Sequence, residues 1–258
     1  MPDMLDTSAG QDRYRAPALD KGLDILELLA GQSGGMTRAE IVRAMGRSPS
    51  EIYRMLERLV ARSYVTRSLE GDRYALSMKL FLMVNAHPPV RRLTAQAQPL
   101  MDIFARRALQ SVHLVVPENS SAIVVAQASP PSNWEFRLRV GAQLNLLTTG
   151  SGQTLLAFQD PAQRAEMLAN LPTDPAQIDT TLWGKLDTIR ATGYRMAPSL
   201  QLVGVVDMSV PLRGPDGHAF AVLTCPFVEH VGLFRDQALD IETCLAQLQE
   251  LANSLALD

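Results

Sequence analysis

The 258-residue sequence predicts an α+β protein: an N-terminal winged helix-turn-helix, a linker helix, and a C-terminal domain around a central antiparallel sheet. Three observations predict it. Two short capped helix patterns, joined by a two-residue turn, are followed by a hairpin pattern within residues 16–76. The charge changes sign at Arg92: residues 1–92 hold 14 Lys and Arg against 11 Asp and Glu, net +3, and the rest of the chain holds 10 against 16, net −6. Beyond Leu93, strand-like runs alternate with helical patterns.

Residues 1–15 are polar and aperiodic, and are expected as a disordered head. Leu19, Leu23, Leu26 and Ala30 then recur at i, i+4, i+7 and i+11, with Leu29 alongside, which predicts a helix burying that stripe and stopping at Gly31. A Gly/Ser turn follows at 31–35. Thr37 opens a second helix with a capping box to Glu40; it runs through Ile41, Ala44 and Met45 and ends at Gly46. The stretch SPSEIYRMLERL, 48–59, opens a third, with Ser48 as N-cap, Pro49 in the first turn and Glu51 closing the box. Ile52, Met55, Leu56, Leu59 and Val60 share one face of it, and Ser50, Arg54, Glu57 and Arg58 lie opposite. SYVTR (63–67) and RYALS (73–77) flank the turn sequence SLEGD and predict a hairpin.

In this order the third helix is placed to enter a major groove of double-stranded DNA, with the hairpin at the flanking backbone. An arginine-bearing outer face is ordinarily just a soluble surface. Here it lies in a segment, 36–79, that carries 9 basic against 5 acidic residues, behind two caps and beside an arginine-flanked wing, and this favours DNA. Arg54, opposite the apolar stripe, is the candidate for a base edge, with Ser50 one turn before it and Arg58 one turn beyond. Arg47, Ser48 and Tyr53 suit phosphates at the helix start and flank. Arg67 and Arg73 bracket the wing. Glu57 lies on the same face and either accepts from a cytosine amine or pairs with an arginine of its own helix, the pair being favoured.

SMKLFLMVNA, 77–86, predicts a short, very apolar helix with Met78, Phe81, Leu82 and Asn85 in register, stopped by HPPV at 87–90; residues 77–92 form the linker helix and hinge, with His87 a hinge residue. So apolar a helix must be covered, by its own domain or by a second copy between paired heads. Residues 93–258 form the second domain. A helix over 93–109 precedes strand-like SVHLVV (111–116), AIVVAQ (122–127), FRLRV (136–140), GVVDMSVPL (204–212) and HAFAVLTCP (218–226). Helical patterns lie near 150–158, 161–169, 180–192 and 236–256. Trp134 and Trp183 are read as packing residues, with Trp134 a lesser candidate for a pocket or subunit contact.

Several function classes recede. Cys225 and Cys244 are too few for a disulfide framework and no signal-peptide pattern opens the chain, so a cytoplasmic protein is expected. The longest apolar runs, such as LFLMV at 80–84, fall far short of the ~20 residues of a membrane span. His87, His113, His218 and His230 are scattered and Cys225 with His230 lacks a second ligand pair, so neither a metal nor a cofactor is expected. TTGSGQT, 148–154, lacks the lysine of a phosphate loop and has Thr149 where a nucleophile elbow needs glycine. A small-molecule hydrolase assembling Ser151, Asp207 and His113 or His218 stands as the alternative to a non-enzymatic reading.

The chain resembles the IclR-type bacterial transcriptional regulators from about Ala18 to Ala256. ALDKGLDILELLA, SPSEIYRMLERLVARSYV and YALSMKL resemble the family's head, and RLTAQAQPLMDIFARRALQSVHLVV its domain junction. LNLLTTGSGQTLLAF (144–158) and GYRMAPSLQLVGVVDMSVPLRGPDGHAFAVLTC (193–225) match the spacing of its two most recognisable C-terminal blocks. The resemblance implies a GAF-like effector-binding domain, a homo-oligomer (dimer or dimer of dimers), and promoter binding tuned by a small-molecule effector through a population shift. The chain departs from the pattern at Gln153, where a lysine is common, at APSL (197–200), where acidic residues are frequent, and at Asp207, where some members carry cysteine. Val205, Asp207 and Ser209 share a strand face by the period of two. Thr149, Gly150 and Ser151 stand at a helix start with free N–H groups. With Thr224 these are the expected effector-binding residues. The family pocket often takes a small organic acid; Asp207 repels a carboxylate placed beside it, so a hydroxylated or uncharged aromatic ligand is equally compatible.

Overall fold

Two capping boxes organise the first part of the structure, a computed structural model in which residues 16–68, 72–86, 88–132, 136–171, 178–231 and 238–256 are described. The Thr37 side chain accepts from the Glu40 N–H while the Glu40 carboxylate accepts from the Thr37 N–H, opening α2 (Arg38–Met45). Ser48 and Glu51 repeat the device at the start of α3 (Pro49–Ala61). Gly46 ends α2 in the left-handed region, φ 59°, where a side chain is disfavoured, so only Gly46 and Arg47 separate α2 from the Ser48 cap. With α1 (Pro17–Ala30) these helices pack on a small antiparallel sheet in the order β1 (Met36–Thr37), β3 (Arg73–Leu76), β2 (Val65–Arg67).

Ile25, Leu29, Ile41, Ile52, Leu56, Val65 and Tyr74 form the core of this unit, which ends at Pro88. Fully burying a residue such as Ile52 or Leu56 contributes roughly 1.5–3 kcal/mol. The α1 stripe differs from expectation. Leu19 and Leu23 stay exposed and Ile25 and Leu29 turn inward. The helix carries enough leucines for two stripes of the same period, and contact with α3 and β3 decides which is buried. The helix expected over 77–86 is present as α4 (Lys79–Ala86), held at its start by Lys79 Nζ donating to the Arg62 carbonyl at 2.6 Å. Its own unit does not cover it: Phe81, Leu82, Met83 and Val84 are each at least half exposed.

The second unit runs from Pro89. Its first helix, α5 (Pro88–Ala108), begins earlier than the expected 93, because Pro88 and Pro89 fall in the first turn, where a missing N–H breaks no bond. His87 lies outside the described residues, as does Trp134. A six-stranded antiparallel sheet follows in the order β6 (Gln143–Asn145), β5 (Ser121–Ala128), β4 (Val112–Glu118), β9 (Ala219–Val228), β8 (Val205–Arg213), β7 (Arg195–Pro198). The strand expected at 136–140 is absent. The chain first bonds to β5 at Gly141, whose N–H donates to the Val124 carbonyl, and β6 continues that pairing along Ser121–Ile123, so 136–140 lies ahead of the ladder, although it keeps its alternation, with Arg137 and Arg139 exposed and Phe136 and Leu138 partly buried.

Helices cover both faces of the sheet. α5 and α9 (Ile241–Leu255) pack on one, where Met101, Phe104 and Leu248 meet Leu114, Met208, Leu212, Leu223 and Cys225. α6 (Gly150–Ala157), α7 (Pro161–Ala169) and α8 (Thr181–Thr192) cover the other through Leu155, Leu156, Met167, Leu186 and Ile189. By the period of two, Val206, Met208, Val210 and Leu212 of β8 face α5 and α9, leaving Val205, Asp207 and Ser209 to the α6 side. Trp183 is not a packing residue: it is 41% exposed, one position off the Leu182, Leu186, Ile189 stripe that α8 buries. Among the described residues no helix is long and apolar enough to cross a membrane.

Candidate functional site

On the winged unit, α3 buries Ile52 and Leu56 completely and leaves Ser50, Tyr53, Arg54 and Arg58 exposed, with Arg47 and Ser48 exposed in the turn before it. Arg38 stacks on the Tyr53 ring at 5.6 Å, adding a cation to this surface that the sequence reading did not include. Ser48 is committed locally: its hydroxyl donates to Glu51 Oε2 at 2.9 Å and accepts from the Glu51 N–H, so its side chain belongs to the cap. The wing arginines also have internal partners. Arg67 Nη2 lies 2.5 Å from Asp72 Oδ1 and the guanidinium stacks on Tyr74; Arg73 Nη1 donates to the Gly35 carbonyl at 3.1 Å and lies 3.7 Å from Glu40. Among the described residues Glu57 makes no ion pair with Arg54 or Arg58. Neighbours at i+1 do not face each other, and an acid placed C-terminal to its base on a helix is poorly oriented.

In the second unit the sheet register lines up four polar residues. His113 on β4 is opposite Thr224 on β9, Thr224 is opposite Ser209 on β8, and Ser209 is opposite Arg195 on β7. All four are buried beneath α6. Polar groups there are costly unless bonded, and three of the four are linked through Ser151 of α6: Thr224 Oγ1 donates to Ser209 Oγ at 2.8 Å, Ser151 Oγ lies 2.8 Å from Thr224 Oγ1, and His113 Nε2 lies 3.3 Å from Ser151 Oγ. One direction of donation fits the chain, with His113 Nε2–H to Ser151, Ser151 to Thr224, and Thr224 to Ser209. Burial lowers the His113 pKa to about 4, so its imidazole is neutral near pH 7.

A cavity of about 60 Å³ opens over this row. The N-terminus of α6 forms one wall through Thr149, Gly150 and Ser151; His113, Asp207, Thr224 and Pro226 rise from the sheet; Phe136, Leu138, Leu144 and Leu202 supply apolar sides. Thr149 caps α6 by accepting from the Gly152 N–H at 3.1 Å, while the Gly150 and Ser151 N–H groups have no place in the helix ladder. Burial raises the Asp207 pKa, opposed by the Ser199 hydroxyl and by Arg195, whose Nη1 lies 4.0 Å from Asp207 Oδ2. A larger recess of about 490 Å³ beside the start of α9 has exposed Glu229, Asp240 and Glu242 at its rim, and no buried polar set converges on it.

Of the expected pocket residues, Thr149, Gly150, Ser151, Asp207 and Thr224 line the cavity and Ser209 lies in the polar row beneath it. Val205 does not line it; it sits at the strand end opposite Val228. The sequence reading missed His113 as a wall residue, although it shares the period-two face of Val115, and missed Arg195, whose place on a four-residue edge strand has no local signal. The hydrolase arrangement is not assembled. Ser151 Oγ lies within reach of both Thr224 and His113, but the partners of Asp207 are Ser199 and Arg195, so no carboxylate orients the His113 ring towards Ser151. Among the described residues no group of three or more His, Cys, Asp or Glu is placed to hold a metal ion.

Residues 89–256 match the family model "Bacterial transcriptional regulator IclR C-terminal", and residues 18–68 match the IclR helix-turn-helix domain. The chain belongs to the IclR family. This IclR-family chain is 26% identical over 213 residues to the HTH-type transcriptional regulator BhcR of Paracoccus denitrificans, covering 79% of the chain and 75% of that protein. It is 25% identical over 212 residues to KdgR of Escherichia coli, covering 80% of each. Its fold matches the crystal structure of an IclR homolog from Microbacterium hydrocarbonoxydans complexed with 4-hydroxybenzoate, with a TM-score of 0.73, 23% identity, and coverage of 92% of this chain and 97% of that one. The IclR-family protein is a transcriptional regulator with a DNA-binding helix-turn-helix domain and a C-terminal effector-binding domain.

Proposed function

We propose that this regulator binds a two-fold DNA site as a cytoplasmic homo-oligomer, reads it with the outer face of α3, and changes operator affinity when a small organic ligand enters the cavity under α6. The observation that carries the DNA reading is the division of α3: Ile52 and Leu56 on its inner face are fully buried, with Met55, Leu59 and Val60 partly so, while Arg54 and Arg58 remain exposed beside Arg47 at the helix entry. Arg54 reads a base edge, Ser50 lies on the same face, and Arg47, Tyr53 and the α3 N-terminus hold phosphate. Arg67 and Arg73 contribute positive charge from the wing while their internal contacts fix its shape. The exposed apolar residues of α1 and α4 suit a contact between paired heads, which a palindromic site requires.

The cavity is matched to a ligand of mixed character. Apolar sides at Phe136, Leu138, Leu144 and Leu202 suit a ring or short chain. The α6 N-terminus suits an acidic or carbonyl oxygen, and Asp207 suits a hydroxyl hydrogen. The 4-hydroxybenzoate bound by a structural relative carries both groups on one ring, in keeping with this reading. The cavity binds its ligand without turnover.

The test is binding of the purified protein to a pool of DNA fragments that includes its own upstream region, at two salt concentrations, with and without a panel of small hydroxylated and plain carboxylic acids. Salt-sensitive enrichment of a few palindromic sites, altered by one of the acids, is expected, because neutralised phosphates release counterions. Enrichment without sequence preference overturns the operator reading. Asp207→Ala is expected to change the ligand response and leave binding of the free protein to DNA intact.

A further inference from the structure

Arg195 is unusual in its surroundings. Its side chain is more than nine-tenths buried, and it lies at the β7 end of the polar row. Its Nε donates to Gln153 Oε1 at 3.1 Å and its Nη2 reaches the Pro198 carbonyl at 3.4 Å, while its Nη1 is buried without a hydrogen-bond partner. That nitrogen lies against Gly150: a Cβ placed there would meet Arg195 Nη1 at 3.1 Å, Ser209 Oγ at 3.1 Å and Asp207 Cβ at 3.0 Å. The guanidinium is therefore wedged behind the cavity wall formed by Gly150 and Asp207, and it does not itself line the cavity. Among the described residues the anion it faces is Asp207, 4.0 Å from Nη1, and Asp207 does line the cavity.

We propose that Arg195 is a specificity-determining positioning residue: from behind the wall it holds Asp207 as an anionic acceptor, so that the pocket selects ligands offering a hydroxyl or amine hydrogen at that point. The proposal rests on the reading of the cavity as the effector site and names the ligand chemistry that the site demands. Without Arg195, the desolvation of this mostly buried carboxyl is opposed by no neighbouring positive charge, which disfavours its anionic form and weakens it as an acceptor for the ligand's hydrogen. The other groups that face Asp207 do not substitute for the arginine. Ser199 supplies one hydroxyl from the loop after β7, α6 presents only its uncharged N-terminal backbone, His113 of β4 is neutral, and the Cys225 thiol of β9 lies on the opposite face of the sheet. Asp207 in turn is the charge that offsets the burial of Arg195.

The test follows the Asp207 carboxyl directly in the full-length protein labelled with ¹³C at aspartate, its signal identified by loss in Asp207→Asn. In Arg195→Met the titration midpoint of Asp207 is expected to move up, and in Arg195→Lys, which keeps the charge, to stay near that of the unaltered protein. Arg195→Gln replaces the methionine variant should the latter fail to fold. An unmoved midpoint in the neutral variants overturns the proposal, since a merely structural arginine would alter stability in all three variants without moving it. Calorimetry at pH 7 with 4-hydroxybenzoate and benzoate as probes supplies the second arm. The unaltered protein is expected to prefer the hydroxylated acid by about tenfold, the scale of one hydrogen bond to a charged group, and Arg195→Met and Asp207→Asn to lose that preference. A preference retained in Arg195→Met also overturns the proposal. If neither probe binds the unaltered protein, the acid-and-hydroxyl reading of the effector fails, and the titration still decides the role of Arg195.

Discussion

His113 illustrates how a single buried side chain ties the pocket to stability. Its folded pKa is about 4, lowered by burial, against an ordinary value near 6.5 in the unfolded chain. Between these values the unfolded state binds more protons than the folded one, so stability is fully present above about pH 6.5 and declines as pH falls towards 4. The whole effect is on the order of 3 kcal/mol. Urea unfolding of the C-terminal unit at pH 7 and pH 4.5 is expected to show the loss, and His113→Asn to flatten it; an equal slope in the variant would assign the effect elsewhere. Arg54 makes the corresponding statement for DNA. Arg54→Ala is expected to lose ~1–3 kcal/mol at the cognate site and to relax preference at one base pair, measured by competition among base-substituted operators. A uniform loss across all sequences would make Arg54 a phosphate contact.

At the scale of elements, α6 is held against the start of its own segment by a glycine with no room to spare. A Cβ at Gly152 would stand 2.5 Å from Leu146 Cα and 2.7 Å from the Asn145 and Leu146 carbonyl oxygens, all backbone atoms that cannot swing aside. Gly152→Ala is expected to destabilise the C-terminal unit by about 1–3 kcal/mol through overpacking, and to weaken ligand binding because the Ser151 hydroxyl moves with the helix. Chemical denaturation checks the first and calorimetry the second. Gly150→Ala meets a milder obstacle, with contacts of 3.0–3.1 Å, two of them to side-chain polar atoms. The same close approach that makes these glycines necessary brings the α6 N–H groups over the sheet's polar row.

At the scale of the whole molecule, the exposed apolar surface of the N-terminal unit makes its prediction through assembly. Phe81 and Leu82 of α4 are 58% and 63% exposed, beside the exposed Met78, Met83 and Val84 of the same segment. Apolar patches of this kind mark interaction surfaces. Replacing both with serine is expected to lower the oligomeric mass in sedimentation and to reduce operator affinity by much more than it reduces binding to half-site DNA. A variant that stays fully assembled with unchanged affinity would place the subunit contact elsewhere. The expected coupling follows from the proposed two-fold site, on which two linked heads would bind as a bivalent unit.

What the sequence by itself determined lies within short range. The two capping boxes, the divided α3, the wing hairpin, and the apolar strand runs of β4, β5, β8 and β9 were all legible, because each depends on residues within one or two turns or within one strand. Asp207 and the α6 start were legible as pocket residues through the period of two and the family's motif spacing. The rest was decided by tertiary structure. Which of two leucine stripes α1 buries depends on α3 and β3, and whether 136–140 forms a strand depends on where the chain begins its pairing with β5. The row from His113 through Thr224 and Ser209 to Arg195 exists only because four strands distant in sequence share one register. A one-residue slip in any pair would turn these side chains to the opposite face, so the polar floor of the pocket is a property of strand pairing that no local pattern encodes.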